Sequence, residues 1–139
     1  MINSFDGEYH FLSNFYLCEI DYKGITYPST EHAFAAAKSD DKQHKLYCSN
    51  PDISPGQAKR AGRNCQLIDD WDNIRLQVME ELLNIKFSDP TLRQLLLDTG
   101  DQELIEGNWW NDKFWGVCNG VGENHLGKLL MKVRTILNN

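Results

Sequence analysis

The sequence has no long hydrophobic run and no recognisable leader. No stretch of about 18 consecutive apolar residues occurs, so we expect no transmembrane helix. The first ten residues, MINSFDGEYH, contain neither a basic nor an apolar segment, so we expect no signal peptide and a cytoplasmic protein. No repeat, low-complexity segment or Pro/Gly/Ser-rich linker divides the 139 residues, and a chain of this length fits one domain.

The sequence has no CxxC pair and no excess of positive charge. The 4 cysteines are Cys18, Cys48, Cys65 and Cys118, and because they lack CxxC spacing we expect free thiols. A zinc site made of Cys48, Cys65 and a histidine is the less favoured alternative. The chain has 14 Lys and Arg against 20 Asp and Glu, a net charge of -6, which argues against indiscriminate binding to nucleic acid. A phosphorylated small molecule is compatible with this charge.

A hairpin is predicted near the N-terminus. Ile20 and Tyr22 alternate with polar residues, Lys23-Gly24 marks the turn, and the alternation resumes after it. Pro28 should end the second strand, because proline cannot donate a hydrogen bond to the ladder.

Helices are predicted over most of the remaining chain. Each combines an apolar repeat at helical spacing with capping residues, glycine or proline at its ends. They run over EHAFAAAK, capped by Ser29 or Thr30; over 41–48; from Ser54-Pro55 to Gly62; over 70–85; from Asp89-Pro90 to Gly100; and over 126–137. With a short strand at 103–106, the pattern predicts a helix-dominated α+β fold in a single domain, residues 1–139.

An unusually aromatic loop follows that strand. The segment IEGNWWNDKFWGVCNGVGENHLG places Trp109, Trp110, Phe114 and Trp115 among several glycines. Such a loop either forms the wall of a ligand pocket or packs onto the core with its indole N–H groups bonded to backbone carbonyls. Composition leaves both interpretations open.

The polar candidates have ordinary explanations when they are taken one at a time. Glu31 fits the first turn of a helix, where the helix dipole favours a carboxylate. His32 fits a core histidine with both ring nitrogens satisfied, and Asp112 fits a turn. Only the combination of these residues with their neighbouring motifs points to chemistry.

The order of the motifs resembles the YbiA/NADAR family. FLSNFY comes first, then YPSTEHAFAAAK, AKRAGR, DW with VM, KF and LLLDTG, and finally LIEGN, ND, FWG and GxGENHLGKLLMKVR, spanning about Phe5 to Leu137. The resemblance implies a YbiA-like fold and an N-glycosidase that acts on ribose-linked substrates. Some members of the family act on phosphorylated riboflavin-pathway intermediates, and others remove ADP-ribose from guanine.

The resemblance also implies site residues. The functional acids and tryptophans of the family fall on Glu31, Trp71, Asp112 and Trp115, which are the expected catalytic residues. The candidates for substrate binding are Ser13 and Asn14 of the SNF element, Lys38, Arg60, Arg63, Trp110 and Asn124. We expect no metal and no cofactor.

These residue types suit cleavage of an N-glycosidic bond, which passes through an oxocarbenium-like sugar. Glu31 would stabilise that cation or activate water, and Asp112 would help the leaving nitrogen depart. Trp71 and Trp115 would stack on the leaving base or exclude water. A basic group should hold the phosphate, and Arg63, in an expected Gly62-Arg63 turn, is favoured.

Two other functions are compatible with the sequence. The main alternative is a non-catalytic module that binds ADP-ribose or NAD-like ligands, and the third is an interaction protein. The presence of both Glu31 and Asp112 favours the enzyme, because a protein that only binds anions gains little from carboxylates. We expect these two carboxylates to border one pocket.

The loop from Trp115 to Asn124 is shorter than in YbiA-type sequences and has Val117-Cys118 in place of Asp and Gly. The resemblance therefore implies the core chemistry but leaves the substrate open between a small phosphorylated ribosyl compound and ADP-ribosylated guanine in a nucleoside or nucleic acid.

Overall fold

A computed structural model describes all 139 residues of the chain. The elements are a 3₁₀-helix Gly7–Leu12, β1 Leu17–Tyr22, β2 Ile25–Ser29, α1 Thr30–Ala37, α2 Lys42–Cys48, α3 Pro55–Asn64, α4 Trp71–Lys86, α5 Pro90–Leu97, β3 Gly107–Asn108, β4 Val117–Cys118 and α6 His125–Leu137. The predicted α+β class, with helices dominant and strands short, is confirmed. None of the helices is long and apolar enough to cross a membrane.

The chain divides into two compact units. The central unit comprises residues 14–86 and contains β1, β2 and α1 to α4. The terminal unit comprises residues 1–13 and 87–139 and contains the 3₁₀-helix, α5, β3, β4 and α6. The single domain expected over residues 1–139 stays a prediction.

The predicted hairpin opens the central unit. Strands β1 and β2 are antiparallel, and both turn residues adopt left-handed backbone angles, with φ of 51° at Lys23 and 86° at Gly24. That pair of angles matches the twist of the flanking strands. Strand β2 continues past Pro28 to Ser29, so the expected end of the strand is wrong by one residue. The register shifts between Leu17 and Ile20, and the missing proline N–H is tolerated where the ladder is irregular.

Helix α1 lies at the centre of its unit. It contacts both strands of the hairpin and the other three helices of the unit. Seven of its residues, Thr30 to Ala36, are buried. Four alanines among its eight residues let the neighbouring elements approach closely from all sides, which explains why a helix this short is stable.

Helix α3 packs tightly against α1 and runs two residues further than predicted. It starts at the expected Ser54-Pro55 signal, where Ser54 and Gln57 form a reciprocal capping box. Gly62 does not end the helix, because its role is in packing: a Cβ there would lie 3.2 Å from the Cβ of Ala35. The helix ends at Asn64 instead.

The terminal unit is built around α5 and α6, which contact each other. Their buried apolar residues include Leu92, Leu96, Leu126 and Leu130. The strand expected at 103–106 is wrong: only a single parallel bridge joins Ile2 to Leu104, and β3 begins at Gly107. The hydrogen bonds of this bridge join the Ile2 N–H to the Glu103 carbonyl and the Ile105 N–H to the Ile2 carbonyl.

Candidate active site

Glu31 lies in the first turn of α1. Ser29 caps this helix, with its Oγ accepting a hydrogen bond from the His32 N–H at 3.1 Å. The Glu31 N–H donates to the backbone carbonyl of Asn14 at 3.0 Å. Glu31 is 8% exposed, so its carboxylate stands near the positive end of the helix dipole with little competing water.

An aromatic pair continues the same face of α1. Phe34 and Lys38 follow Glu31 by three and seven positions, so the three side chains share one side of the helix. The Phe34 and Trp71 ring centroids are 5.2 Å apart, with the planes inclined at 55°. Trp71 is 6% exposed, and the start of α4 thus brings an indole against α1 one turn beyond Glu31.

Lys38 completes this face at the C-terminal end of α1. Its Nζ lies 5.5 Å from the centroid of the Phe34 ring, a cation–π distance. Helix α3 packs along its stem, since a Cβ on Gly62 would come within 3.3 Å of Lys38 Cδ. Seven residues of helix separate Lys38 from Glu31 by about 10 Å along the axis.

The two arginines of α3 are placed differently. Arg60 and Arg63 are exposed, and neither guanidinium forms a hydrogen bond or an ion pair within the chain. Arg63 lies in the last turn of α3, so the Gly62-Arg63 turn on which its preference rested is wrong. Of the three basic candidates, Lys38 is the one that the fold directs along the Glu31 face.

Two buried polar atoms near Glu31 have no hydrogen-bond partner. They are Asn14 Oδ1 and Thr30 Oγ1. The amide nitrogen of Asn14 reaches the sulfur of Met79 at 3.7 Å, a weak interaction. A buried polar group without a partner costs about 1–3 kcal/mol. Such groups are uncommon in native structures, and here they lie on Thr30, at the start of α1, and on Asn14, whose carbonyl bonds the Glu31 N–H.

His32 has the role expected of a core histidine. Its Nε2 lies 2.9 Å from the Ile53 carbonyl and its Nδ1 lies 2.6 Å from Ser29 Oγ. A carbonyl only accepts, so Nε2 carries the proton and Nδ1 accepts from the serine hydroxyl. Burial lowers the pKa of His32. A neutral, fully hydrogen-bonded imidazole stabilises the helix start and is not a candidate general base.

Asp112 lies in the aromatic loop of the terminal unit. Its backbone is tied to the Asn108 amide, which donates to Asp112 O at 2.9 Å and accepts from Asp112 N at 3.0 Å. The Asp112 Oδ1 accepts from the N–H groups of Phe114 and Trp115 at 3.2 and 2.9 Å. The carboxylate is therefore held in a defined orientation and also serves as the turn residue that the sequence suggested.

The rings beside Asp112 form a short aromatic chain. Trp115 meets Phe114 edge to face, with centroids 4.9 Å apart, and Phe114 contacts His125 at 4.5 Å. Trp115 is half-buried and Trp110 is 47% exposed. The loop thus presents Trp110 outward, while Trp115 stays next to the fixed carboxylate.

Asn124 and Ser13 have structural roles. The Asn124 amide accepts from the Glu106 N–H at 2.9 Å and donates to the Leu104 carbonyl at 3.0 Å. Both ends of its side chain therefore hold the loop to α6. Ser13 closes the 3₁₀-helix by donating its N–H to His10. Substrate binding by either residue stays a prediction.

Comparisons with known proteins show the family to which the chain belongs. The NADAR domain family model matches residues 3–138. The chain belongs to the NADAR family. It is 38% identical over 135 residues to the N-glycosidase YbiA of Shigella boydii, covering 94% of this chain and 83% of that protein. The Escherichia coli N-glycosidase YbiA is 37% identical over 135 residues with the same coverage.

Further relatives extend the family relationship. A riboflavin biosynthesis protein of Vibrio vulnificus is 41% identical over 135 residues, and the matched region spans 93% of this chain but 36% of that longer protein. The NMR structure of E. coli YbiA matches with a TM-score of 0.84 at 35% identity, covering 99% of this chain and 87% of that one. This NADAR-family chain is therefore an enzyme of the N-glycosidase class.

The NADAR-family candidates fall into two groups. Asn14, Glu31, Lys38 and Trp71 converge on α1 of the central unit, while Trp110, Asp112, Trp115 and Asn124 belong to the loop of the terminal unit. That Glu31 and Asp112 border one pocket stays a prediction.

Three contributors were not found from the sequence. Phe34 contacts Trp71, and its position three residues after Glu31 was the available signal. Thr30 adds a buried hydroxyl at the helix start. Asn108 ties down the Asp112 backbone, and its spacing of four residues from Asp112 gives no recognisable pattern.

The thiols are unsuited to nucleophilic chemistry. All four cysteines are free, and Cys48 is fully buried. Burial raises the pKa of Cys48 to about 11, which makes it a poor nucleophile. No group of three or more His, Cys, Asp or Glu side chains is arranged to hold a metal ion.

Proposed function

We propose that this chain hydrolyses the N-glycosidic bond of a phosphorylated ribosyl compound, either a riboflavin-pathway intermediate or ADP-ribose attached to guanine. The observation that carries the proposal is the face of α1, where the buried Glu31, the Phe34–Trp71 pair and Lys38 follow one another. The relatives named N-glycosidase and riboflavin biosynthesis protein support the same class of substrate.

The reaction needs a group that assists water. In the proposed step, a water oxygen bonds to the anomeric carbon and gives a proton to Glu31. The pair of electrons in the C–N bond leaves with the base, which takes a proton from a general acid, the role predicted for Asp112. General acid or base assistance of this kind accelerates reactions by about 10²–10⁴-fold. The buried carboxylate of Glu31 also stabilises the positive charge that develops on the ribose.

Lys38 is the proposed phosphate ligand. The separation of about 10 Å along α1 between Glu31 and Lys38 suits a ribose 5-phosphate whose anomeric carbon faces Glu31 and whose phosphate faces Lys38. An ammonium group at that end would neutralise the phosphate, while Glu31 remains at the sugar. Trp71 would exclude water from the same face, which strengthens both interactions.

The test is release of free base, followed by HPLC, from a set of ribosyl compounds with and without phosphate. Glu31→Gln preserves size and hydrogen bonding, so we expect a folded protein. Its kcat should fall by about 10²-fold or more, with a modest change in KM. Asp72→Asn is the matched control, because Asp72 also lies in the first turn of a helix, α4, but is 85% exposed.

Two outcomes distinguish the functions. Base release that depends on Glu31 and not on Asp72 supports the hydrolase. A folded protein that binds ADP-ribose and releases no base from any compound would instead be a non-catalytic binding module.

Four free thiols support a reducing, cytoplasmic location as part of the same proposal.

A further inference from the structure

The central unit contains a cavity of about 210 Å³, lined by residues of the hairpin and of helices α1, α2 and α4 and of the segments beside them. None of the side chains that form the Glu31 face lines this cavity. Ala37, which α1 contributes to it, lies about 120° around the helix from Glu31, because successive residues are about 100° apart. The cavity is therefore distinct from the face on which the proposed glycosidase activity rests.

The interior of the cavity is apolar. Its aliphatic side chains are buried or half-buried, and they are Ile25, Ala37, Ile68, Ile74 and Val78. The Ile68 N–H donates to the Lys38 carbonyl at 2.8 Å, which holds that part of the wall in place. Cavities for drug-sized ligands measure about 300–1,000 Å³. This cavity therefore suits a smaller molecule that has an apolar part.

Charges of both signs also line the cavity. Lys23 and Asp40 are exposed, and Lys45 is half-buried. The Lys45 Nζ donates to the Ala36 carbonyl at 3.0 Å, which fixes the ammonium and leaves two of its N–H groups for other partners. The Lys23 Nζ lies 5.3 Å from the centroid of the Tyr22 ring. None of the three charged groups forms an ion pair within the chain, so both an ammonium and a carboxylate are available to a ligand.

A buried hydroxyl of the lining lacks a partner as well. Tyr27 is 2% exposed and lines the cavity, and its hydroxyl forms no hydrogen bond within the chain. Tyr22, which lines the same cavity, differs because its hydroxyl donates to Glu81 at 3.3 Å. Buried hydroxyls of native proteins usually have a hydrogen-bond partner. A polar group inside the cavity would provide one for Tyr27.

We infer that this cavity binds a small zwitterion with an apolar side chain, of the amino acid class. The side chain would occupy the aliphatic interior, the carboxylate would pair with Lys45, and the ammonium would pair with Asp40. A simple carboxylic acid matches the cavity less well, because Asp40 would repel it, and a simple amine meets the same repulsion from the lysines. Only a molecule that carries both charges complements both signs. The inference does not depend on the proposed function.

The test titrates the wild-type protein with L-leucine and follows the backbone amide resonances by heteronuclear NMR. Three analogues each lack one recognition element: isocaproate lacks the ammonium, isoamylamine lacks the carboxylate, and glycine lacks the side chain. Leucine should shift the resonances of Ile25, Ala37 and Ile68 saturably. Each analogue should bind about 10-fold or more weakly, the low end for loss of a charged hydrogen bond or of a buried aliphatic side chain.

Variants assign the contacts. Lys45→Met should abolish the preference for leucine over isoamylamine, and Asp40→Asn should abolish the preference for leucine over isocaproate. Lys42→Met and Asp52→Asn are the matched controls, because they change exposed residues outside the lining, and they should bind leucine like the wild type. Glu31→Gln should also retain this affinity, because Glu31 does not line the cavity.

The outcomes that contradict the inference are equally specific. Absence of saturable shifts with leucine up to its solubility would overturn it, as would equal affinities for leucine and either singly charged analogue. Loss of leucine binding in Glu31→Gln would assign the ligand to the Glu31 face and refute a separate site. The readout is binding and not release of base, so failure of the glycosidase proposal leaves this test unaffected.

Discussion

Replacing Asp112 by asparagine and by alanine separates its two roles. The Oδ1 of Asp112 accepts hydrogen bonds from the N–H groups of Phe114 and Trp115, and no group of the protein bonds its Oδ2. Asparagine preserves an acceptor in the position of Oδ1 but cannot donate an acidic proton. Alanine removes the acceptor as well. The asparagine variant should therefore lose chemistry alone, and the alanine variant should lose chemistry and loop order.

The magnitudes follow from these two hydrogen bonds. A bond to a charged group contributes about 1.5–3 kcal/mol and a neutral one about 0.5–1.5 kcal/mol, and partial exposure of Asp112 favours the lower ends. We expect Asp112→Asn to lower the free energy of unfolding by about 1 kcal/mol or less. Asp112→Ala should cost about 1–2 kcal/mol more, as the loss of a helix or turn cap does. In a chain of this size, each kcal/mol shifts Tm by about 3–5 °C.

Two assays check the reasoning. Thermal and urea unfolding give the stabilities, and HPLC of released base gives kcat, which should fall by about 10²-fold or more in both variants. If Asp112 and Glu31 act as a unit, combining Asp112→Asn with Glu31→Gln should reduce kcat by less than the product of the single effects. Wild-type kcat in a folded Asp112→Asn protein would remove Asp112 from the mechanism. Equal destabilisation by asparagine and alanine would refute the assigned role of Oδ1.

Three further predictions concern binding, packing and pH. Lys38→Ala should raise KM for a phosphorylated substrate by about 10- to 150-fold, the equivalent of one charged hydrogen bond. Arg63→Ala should leave this KM unchanged. An equal rise in KM for the dephosphorylated substrate would contradict the phosphate contact. Gly127→Ala should lower the free energy of unfolding in urea by about 1–3 kcal/mol, since its Cβ would lie 2.1 Å from a backbone oxygen. Gly56→Ala, where the nearest atom is 3.7 Å away, should be neutral or stabilising. Burial lowers the pKa of Lys86 from 10.5 to about 8. Between pH 8 and 10.5, Lys86 therefore binds a proton more fully in the unfolded chain than in the folded one, and the free energy of unfolding rises with pH. Urea titrations at pH 7.5 and 9.5 should show this rise in the wild type and a smaller one in Lys86→Met.

Local signals in the sequence determined most of the secondary structure. The turn at Lys23-Gly24, the cap at Ser29 and the Ser54-Pro55 helix start each depend on backbone preferences of a few neighbouring residues. These preferences act whatever the rest of the chain does, so the elements could be predicted. The same holds for Glu31, whose place in a first helical turn follows from the cap two residues before it. Its assignment to chemistry came from the ordered motifs and not from its spacing.

The tertiary structure decided which residues meet. Nothing local shows that Trp71 would contact Phe34, that Gly62 would serve close packing instead of ending α3, or that Lys38 rather than Arg63 would lie along the Glu31 face. The Asn108–Asp112 bonds and the burial of Lys86 were equally invisible. These features depend on contacts between residues far apart in the chain or on side-chain geometry within a loop. Their energies arise from burial and hydrogen bonding in the assembled fold, which the preferences of single residues do not contain.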